Sequence, residues 1–250
     1  MGKKGAKKTL KRKPAPSFWP IHKKEFVWAV KPKPGPHPTY RCIPLVLIVR
    51  DSLGLGNTSK EAKIIISKGK ILVDGKVRRE PSFPVGLMDV VSIPETNTSF
   101  RVLPSTKGLI LHRIPKEEED FKLCRIEGKN IQKGGRIQLS LHDGRNILLK
   151  EVESGGSSYR TLDVLKINLP DQEPFELVKS EKGVPALAVG GKNAGKYGRI
   201  VEIEARLGLK RRRSLVTLED SEGDRFQVIL DYVFVLGEDT PLISLPGGIR

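Results

Sequence analysis

The chain has 250 residues, 38% of them hydrophobic, with 45 Lys and Arg against 29 Asp and Glu and a formal net charge of +16. That length allows one large domain or two to three small ones, and the charge points to a polyanionic partner, nucleic acid before an anionic membrane. Cys42 and Cys124 lie far apart with no CxxC, which argues against a disulfide framework or a zinc site and suits a reducing compartment; no apolar run approaches transmembrane length, and the N-terminal lysines lead into no signal-peptide core.

Residues 1–42 carry 12 Lys and Arg against one acid, whereas 171–250 carry 12 against 13. The run "KPKPGPHP" (31–38) is proline-rich, and each Pro pushes its predecessor toward extended backbone. "FWP" and "EFVW" supply Phe18, Trp19, Phe26 and Trp28. A solvated basic tail is one reading. The aromatics favour another: an arm whose Lys3, Lys4, Lys7, Lys8, Lys11, Arg12 and Lys13 contact phosphates while the rings dock on a partner or on the body. Purely solvated tails are poor in aromatics.

A first folded unit spans 43–105. In "IPLVLIVRDSLGLG", Pro44 suits the first helical position, and Leu45, Ile48, Val49 and Leu53 follow at helical spacing. "TSKE" fits a capping box, with Thr58 as cap and Glu61 reaching back. Ala62, Ile65 and Ile66 form the inner face of that second helix, and Gly69 stops it. "ILVDGKV" reads as a hairpin around Asp74-Gly75, and "GLMDVVSI" (86–93) as one further strand. Lys60, Lys63, Lys68 and Lys70 project from the helix and its exit, and Lys76, Arg78 and Arg79 leave the hairpin turn. Several cations held on a rigid surface suit an RNA backbone. A merely soluble face is the bland alternative, since Asp74 and Glu80 interrupt the run.

Residues 106–170 read as β-rich. "GRIQLSLHDGRNILLK" alternates around Asp143-Gly144, with Ile137, Leu139 and Leu141 on one side, and "TLDVLKINLP" is another strand. "KEEED" (116–120) is expected to be a solvated loop. Residues 171–237 show apolar "VPALAVGG", then "YGRIVEIEAR", "SLVTLED" and "FQVILDYVFVLG". That is the pattern of a small all-β barrel, followed by a tail at 238–250. In the Gly-rich loop 191–196, Lys192, Asn193 and Lys196, with Arg199 beyond, place charge where glycines let backbone approach a phosphate; no G-K-[ST] opens a helix, so this is not a P-loop. Arg211, Arg212 and Arg213 in "LKRRRS" read equally as a phosphate contact or a solvated loop.

No catalytic, metal-binding or cofactor-binding residue is assigned. His22, His37, His112 and His142 are scattered without ligand spacing. "YRTLDVLK" faintly resembles the Arg-Leu-Asp motif of pseudouridine synthases, but Thr161 separates Arg160 from Leu162, so Asp163 reads as an ordinary turn acid.

Five fragments in register, "KPGPHP", "IPLVLIVRDSL", "VDGKVRRE", "FPVGLMDVVSI" and "QLSLHDGRN", resemble the S4e family of small-subunit ribosomal proteins, and "GVPALAVGGKNAGKYGRIVEIE" (183–204) resembles a KOW motif. The resemblance implies a multidomain α+β protein: a basic arm (1–42), an S4-type RNA-binding unit (43–105), a β-rich central domain (106–170), a KOW SH3-like barrel (171–237) and a tail (238–250). It implies a structural constituent of the cytoplasmic small ribosomal subunit, with rRNA and neighbouring ribosomal proteins as partners and no membrane, cofactor or small-molecule substrate. An RNA-modifying enzyme using Asp163 and a KOW-containing elongation factor are the alternatives.

Overall fold

A computed structural model describes residues 9–133, 135–149, 159–169, 171–204 and 211–246. The N-terminal segment folds back as a two-stranded ladder, β1 (Leu10–Lys11) with β2 (Trp28–Ala29). It is not a free extended arm. Trp19 is 2% exposed, packs in the same core as Leu45, Val46 and Ile66, and donates its indole N–H to the Cys42 carbonyl at 2.7 Å. Burying an aromatic of this size removes a large apolar area from water, and the indole N–H that would otherwise be stranded has its partner.

Next come β3 (Cys42–Pro44), α1 (Leu45–Leu47) running on as a π-helical turn over Ile48–Ser52, and α2 (Ser59–Ser67). Pro44 ends the strand and caps the helix from outside, instead of occupying its first turn. The strands β4 (Leu72–Val73), β5 (Lys76–Val77), β6 (Pro84–Gly86), β7 (Val90–Ile93), β8 (Thr98–Ser105) and β9 (Gly108–Ile114) follow. They form an antiparallel sheet in the order β5-β4-β7-β8-β9, while β6 pairs with β3. At the β4–β5 turn Asp74 and Gly75 have φ of 52° and 71°, the pair of positive angles that a two-residue type I′ turn demands.

"GLMDVVSI" is two strands, not one. Met88 sits at φ 65°, and the Asp89 carboxylate accepts the Gly86 N–H at 2.8 Å, closing a turn between β6 and β7. A side chain that captures local backbone N–H groups competes with strand continuation.

The strands β10 (Phe121–Ile131), β11 (Ile137–Leu141), β12 (Asn146–Leu149), β13 (Val164–Asn168) and β14 (Pro174–Val178) make a second sheet, ordered β12-β11-β10-β13-β14. Ile137, Leu139 and Leu141 all face inward, as their alternation requires. A third sheet, β18-β17-β16-β15-β19, is built from β15 (Pro185–Ala188), β16 (Tyr197–Glu204), β17 (Leu215–Glu219), β18 (Arg225–Ile229) and β19 (Val233–Val235). The described residues are thus mostly antiparallel β, with few helices.

The sheets overrun the boundaries read from sequence. β9 extends the first sheet past residue 105 to Ile114, β14 extends the second past 170, and Ile243 of the expected tail is buried in the core. That core is continuous across units: Met88 and Leu103 from the first, Leu123, Val164 and Val178 from the second, and Ala186, Ile200 and Phe234 from the third form one cluster. "KEEED" is not simply solvated either. Glu118 accepts the Ser244 N–H at 2.9 Å, which ties a short 3-10 turn (Lys116–Glu118) to the C-terminal segment.

Candidate nucleic-acid interface

The first basic surface is assembled by α2 and the β4–β5 hairpin. Thr58 Oγ1 accepts the Glu61 N–H at 3.2 Å, and the Glu61 carboxylate reaches back to the Asn57 N–H at 2.9 Å. These bonds satisfy donors that a helix start leaves open. Ala62 and Ile66 then turn inward, and Lys60, Lys63 and Lys68 are exposed. The helix ends at Gly69, φ +77°, where a β-carbon would lie 3.0 Å from Val77 Cγ1 and 3.4 Å from Arg79 Nε. Close approach at this glycine sets the helix end against β5, so the lysines of α2 and the exposed Lys76 and Arg79 share one surface.

The two acids that interrupt this run in sequence are both withdrawn from it. Asp74 is 6% exposed and points into the protein, and Glu80 is engaged by Lys33 at 2.5 Å; that bond, helped by the Ser82 N–H, outweighs the opposing effect of burial and sets the Glu80 carboxyl below the usual range. Lys60, Lys63, Lys68, Lys76 and Arg79 have no acidic partner among the described residues. Two neighbours behave differently. Lys70 pairs with Glu95 at 2.9 Å, and Arg78 is half-buried, its guanidinium 4.5 Å from the Phe83 ring centroid.

The C-terminal loop divides in the same way. Gly191 and Gly195, at φ +78° and +86°, turn the chain so that Lys192 and Lys196 are exposed, Lys196 lying 5.3 Å from the Phe226 ring. A β-carbon at Gly195 would meet Ser105 Cα at 2.9 Å, so this loop docks on the β8–β9 turn. Asn193 donates to the Gln227 carbonyl, and Arg199 donates to the carbonyls of Gly183 and Asp239. Their side chains are occupied in holding the loop.

Arg12 and Arg212 do not fit the role of phosphate contacts. Arg12 is 6% exposed and donates twice to the Ile21 carbonyl. Arg212 bridges Glu127 at 2.7 Å and Asp231 at 3.2 Å, joining the central and C-terminal sheets. Arg213 is exposed, as are Lys11 and Lys13. Lys3, Lys4, Lys7, Lys8 and the Arg211 side chain lie outside the described residues.

Behind the basic surface lies a buried ionic cluster. Lys122, fully buried on β10, places Nζ 2.9 Å from Asp74 Oδ2 and 3.1 Å from Asp143 Oδ2, and also bonds Asp89. Arg145 binds both Asp74 and Asp143, and His37 Nε2 lies 3.0 Å from Asp89. Burial penalises every charge here. For Asp89 that penalty is overcome by His37 and Lys122, which hold its carboxyl well below the usual range; for Asp143 it is overcome by Lys122, His142 and Arg145. Burial likewise lowers Lys122, but Asp74 and Asp89 outweigh it and raise the ammonium above its ordinary value. The cluster joins the N-terminal segment, the first sheet and the second sheet.

Cys124, His142 and Asp143 bring potential ligand atoms within 4.8 Å of one another. Each atom is already engaged. Asp143 holds Lys122 and Arg145; His142 Nδ1 accepts the Arg125 N–H, which leaves the proton on Nε2, facing the Leu87 carbonyl; and Cys124 Sγ donates to Asp143. Burial first, then Lys122, bring His142 down to about 4. The Lys122 ammonium supplies the cation this trio would otherwise recruit. Asp163 is 1% exposed and accepts the N–H groups of Arg160 and Ser180. It pins a turn and offers no accessible nucleophile.

One signal for Lys122 was present in the sequence. In "FKLCRI" it shares strand parity with Cys124 and Ile126, so alternation puts it on an inward face.

The RS4NT domain matches residues 4–39, the S4 domain 43–91, and ribosomal family S4e 96–174. The chain is 48% identical over 252 aligned positions to the small ribosomal subunit protein eS4 of Staphylothermus marinus and 49% identical to that of Aeropyrum pernix, with 99% of each chain covered. The crystal structure of 30S ribosomal protein S4e from Thermoplasma acidophilum superposes with a TM-score of 0.66 at 35% identity, covering 79% of this chain and 96% of that one.

Proposed function

The chain belongs to the S4e family of ribosomal proteins, and on that premise we propose that it is a structural constituent of the small ribosomal subunit, held in the cytoplasmic ribosome by rRNA and by neighbouring ribosomal proteins. It is not an enzyme. The observation that carries the RNA-binding mechanism is the α2–β5 surface, where five exposed cations have no acidic partner among the described residues. Lys60, Lys63, Lys68, Lys76 and Arg79 contact phosphates there, and Lys192, Lys196 and Arg213 add a second patch on the C-terminal sheet. Phosphate neutralisation releases counterions and gives affinity without a catalytic group. The rigid core between the patches fixes their separation, which suits recognition of folded RNA by shape.

We read the C-terminal sheet as a KOW-type SH3-like barrel, on the support of its Gly-rich basic loop and the strand that follows. The units are then an N-terminal segment, an S4-type unit running to Ile114, a central sheet ending at Val178, and the C-terminal sheet with its packed tail.

Replacing Lys76 and Arg79 with Gln tests the mechanism. The double variant should keep its melting temperature, and its binding to small-subunit rRNA should lose about 0.7 to 0.9 log units of salt slope per contact. An unchanged slope would return this surface to a solvated face.

A further inference from the structure

Four aromatic rings of the N-terminal segment raised one question, whether they dock on the body or on a partner. The structure divides them. Trp19 is buried and Phe18 packs against the core, its Cβ standing where a β-carbon on Gly108 would be 2.2 Å away. Phe26, Val27 and Trp28 are 57%, 66% and 57% exposed. Three consecutive large apolar residues held in water mark an interaction site. They line a groove of about 1450 Å³ between the β1–β2 ladder and the ends of the two helices, opposite Arg50 and Asn57. The platform is held in place. Trp28 pairs with Lys11 in the ladder, the Arg12 N–H binds the Val27 carbonyl at 3.0 Å, and Ala29 and Val30 pack on the core.

We infer that Phe26 and Trp28 are a stacking platform for unpaired nucleotides of the rRNA; this rests on the RNA-binding reading above and adds a base-contacting site to its phosphate contacts. The surroundings choose RNA over protein. Lys11, Lys13, Lys23 and Lys24 are exposed on the same segment, with Lys11 Nζ 5.8 Å from the Trp28 ring centroid; of the acids that line the groove, Asp51 is paired with Arg50, and Glu25 is the one acid of residues 1–42. Lysine is depleted at protein interfaces, whereas lysines interleaved with exposed aromatic faces are what single-stranded nucleic acid requires, charge for the backbone and rings for the bases. The helical surface with Lys60 and Lys63 grips paired RNA by its phosphates, and this groove takes nucleotides that are not in a duplex.

The chain has only two tryptophans, and one is buried with its N–H bonded to Cys42. The solvent-exposed, red-shifted component of the intrinsic fluorescence therefore reports on Trp28, and the buried Trp19 contributes a separate background. Titrating the full chain with purified small-subunit rRNA should quench the Trp28 component of the emission, and Trp28→Phe should abolish that change while keeping most of the affinity. Trp28→Ala should weaken binding by about fivefold or more with an unchanged salt slope, because no phosphate contact is lost. If wild type binds rRNA with a steep salt slope but Trp28→Ala binds equally well and no quenching occurs, the stacking site is overturned and the phosphate reading stands. If wild type does not bind rRNA, both fall. Quenching by ribosomal proteins and not by rRNA would make the groove a protein site and overturn the inference. Should Trp28→Ala fail to fold, the wild-type quenching decides alone.

Discussion

Lys63 on α2 and Lys122 on β10 carry the same side chain and do opposite things. The first stands in water without an acid beside it; the second is fully buried among three carboxylates. The same split recurs within a few residues at Arg213, exposed, and Arg212, engaged by Glu127 and Asp231. Positive charge in this protein is therefore two populations. One is neutralised internally and joins sheets, and the other is left unpaired for an external polyanion. Where the acids fold decides which population a cation joins. Asp74 shows this most clearly, since one residue leaves the basic hairpin surface and supplies the buried partner of Lys122.

The sharpest way to break this division is Lys122→Met. Removing the ammonium strands carboxylates that burial would otherwise protonate, and breaking such a buried pair costs about 3–5 kcal/mol. Urea unfolding should show that loss, and a variant with wild-type stability would mean that the cluster is not what holds the sheets together. Acid should act on the same region through His142. Its pKa is depressed to about 4 in the fold, so the unfolded chain takes up a proton that the folded chain refuses. Stability is then highest above the ordinary imidazole value and is lost as pH falls from about 6.5 toward 4, by on the order of 3 kcal/mol at most. The depressed carboxyls of Asp89 and Asp143 extend the loss to lower pH, since their stabilisation is present above the ordinary carboxylate range and disappears as they protonate. His142→Gln should flatten the melting temperature between pH 6.5 and 4; an unaltered profile would assign the acid sensitivity elsewhere. The finest test compares neighbours. Arg212→Ala should cost about 1 kcal/mol in stability with little change in rRNA salt slope, and Arg213→Ala should do the reverse, because only partly exposed pairs of this kind contribute at that level. Equal effects in both assays would erase the distinction.

Much of the fold was legible because it rests on local chemistry. The Thr58 cap, the Asp74-Gly75 turn and the inward row Ile137, Leu139, Leu141 each depend on residues within a few positions of one another, and all three are found as read. Family membership was also legible, through fragments spread along the whole chain. What escaped reading depends on long-range partners. Nothing near Trp19 announces that its indole will find the Cys42 carbonyl, and nothing near Arg212 announces Glu127, 85 residues earlier. Gly198 lies between these cases. It is not among the positive-φ glycines and pairs in ordinary strand register with Ala186, yet a β-carbon is excluded there by the Glu219 carbonyl 2.6 Å away. A glycine one residue before a strand is visible in the sequence, and the neighbouring strand that requires it is not. Of the basic residues, sequence alone separated none into paired and unpaired, because that property belongs to the acids across the fold.

The order of synthesis gives the buried cluster a meaning in time. Asp74 is made early, and its two cationic partners, Lys122 and Arg145, follow 48 and 71 residues later. A carboxylate sealed from water without its counter-charge is driven to take up a proton. The hairpin can therefore form its turn as soon as it emerges, but the ionised Asp74 stays hydrated, or is protonated, until the central sheet brings its cations. The N-terminal unit is thereby made to wait for the rest of the chain, and a nascent protein cut short before residue 122 carries its own mark of incompleteness.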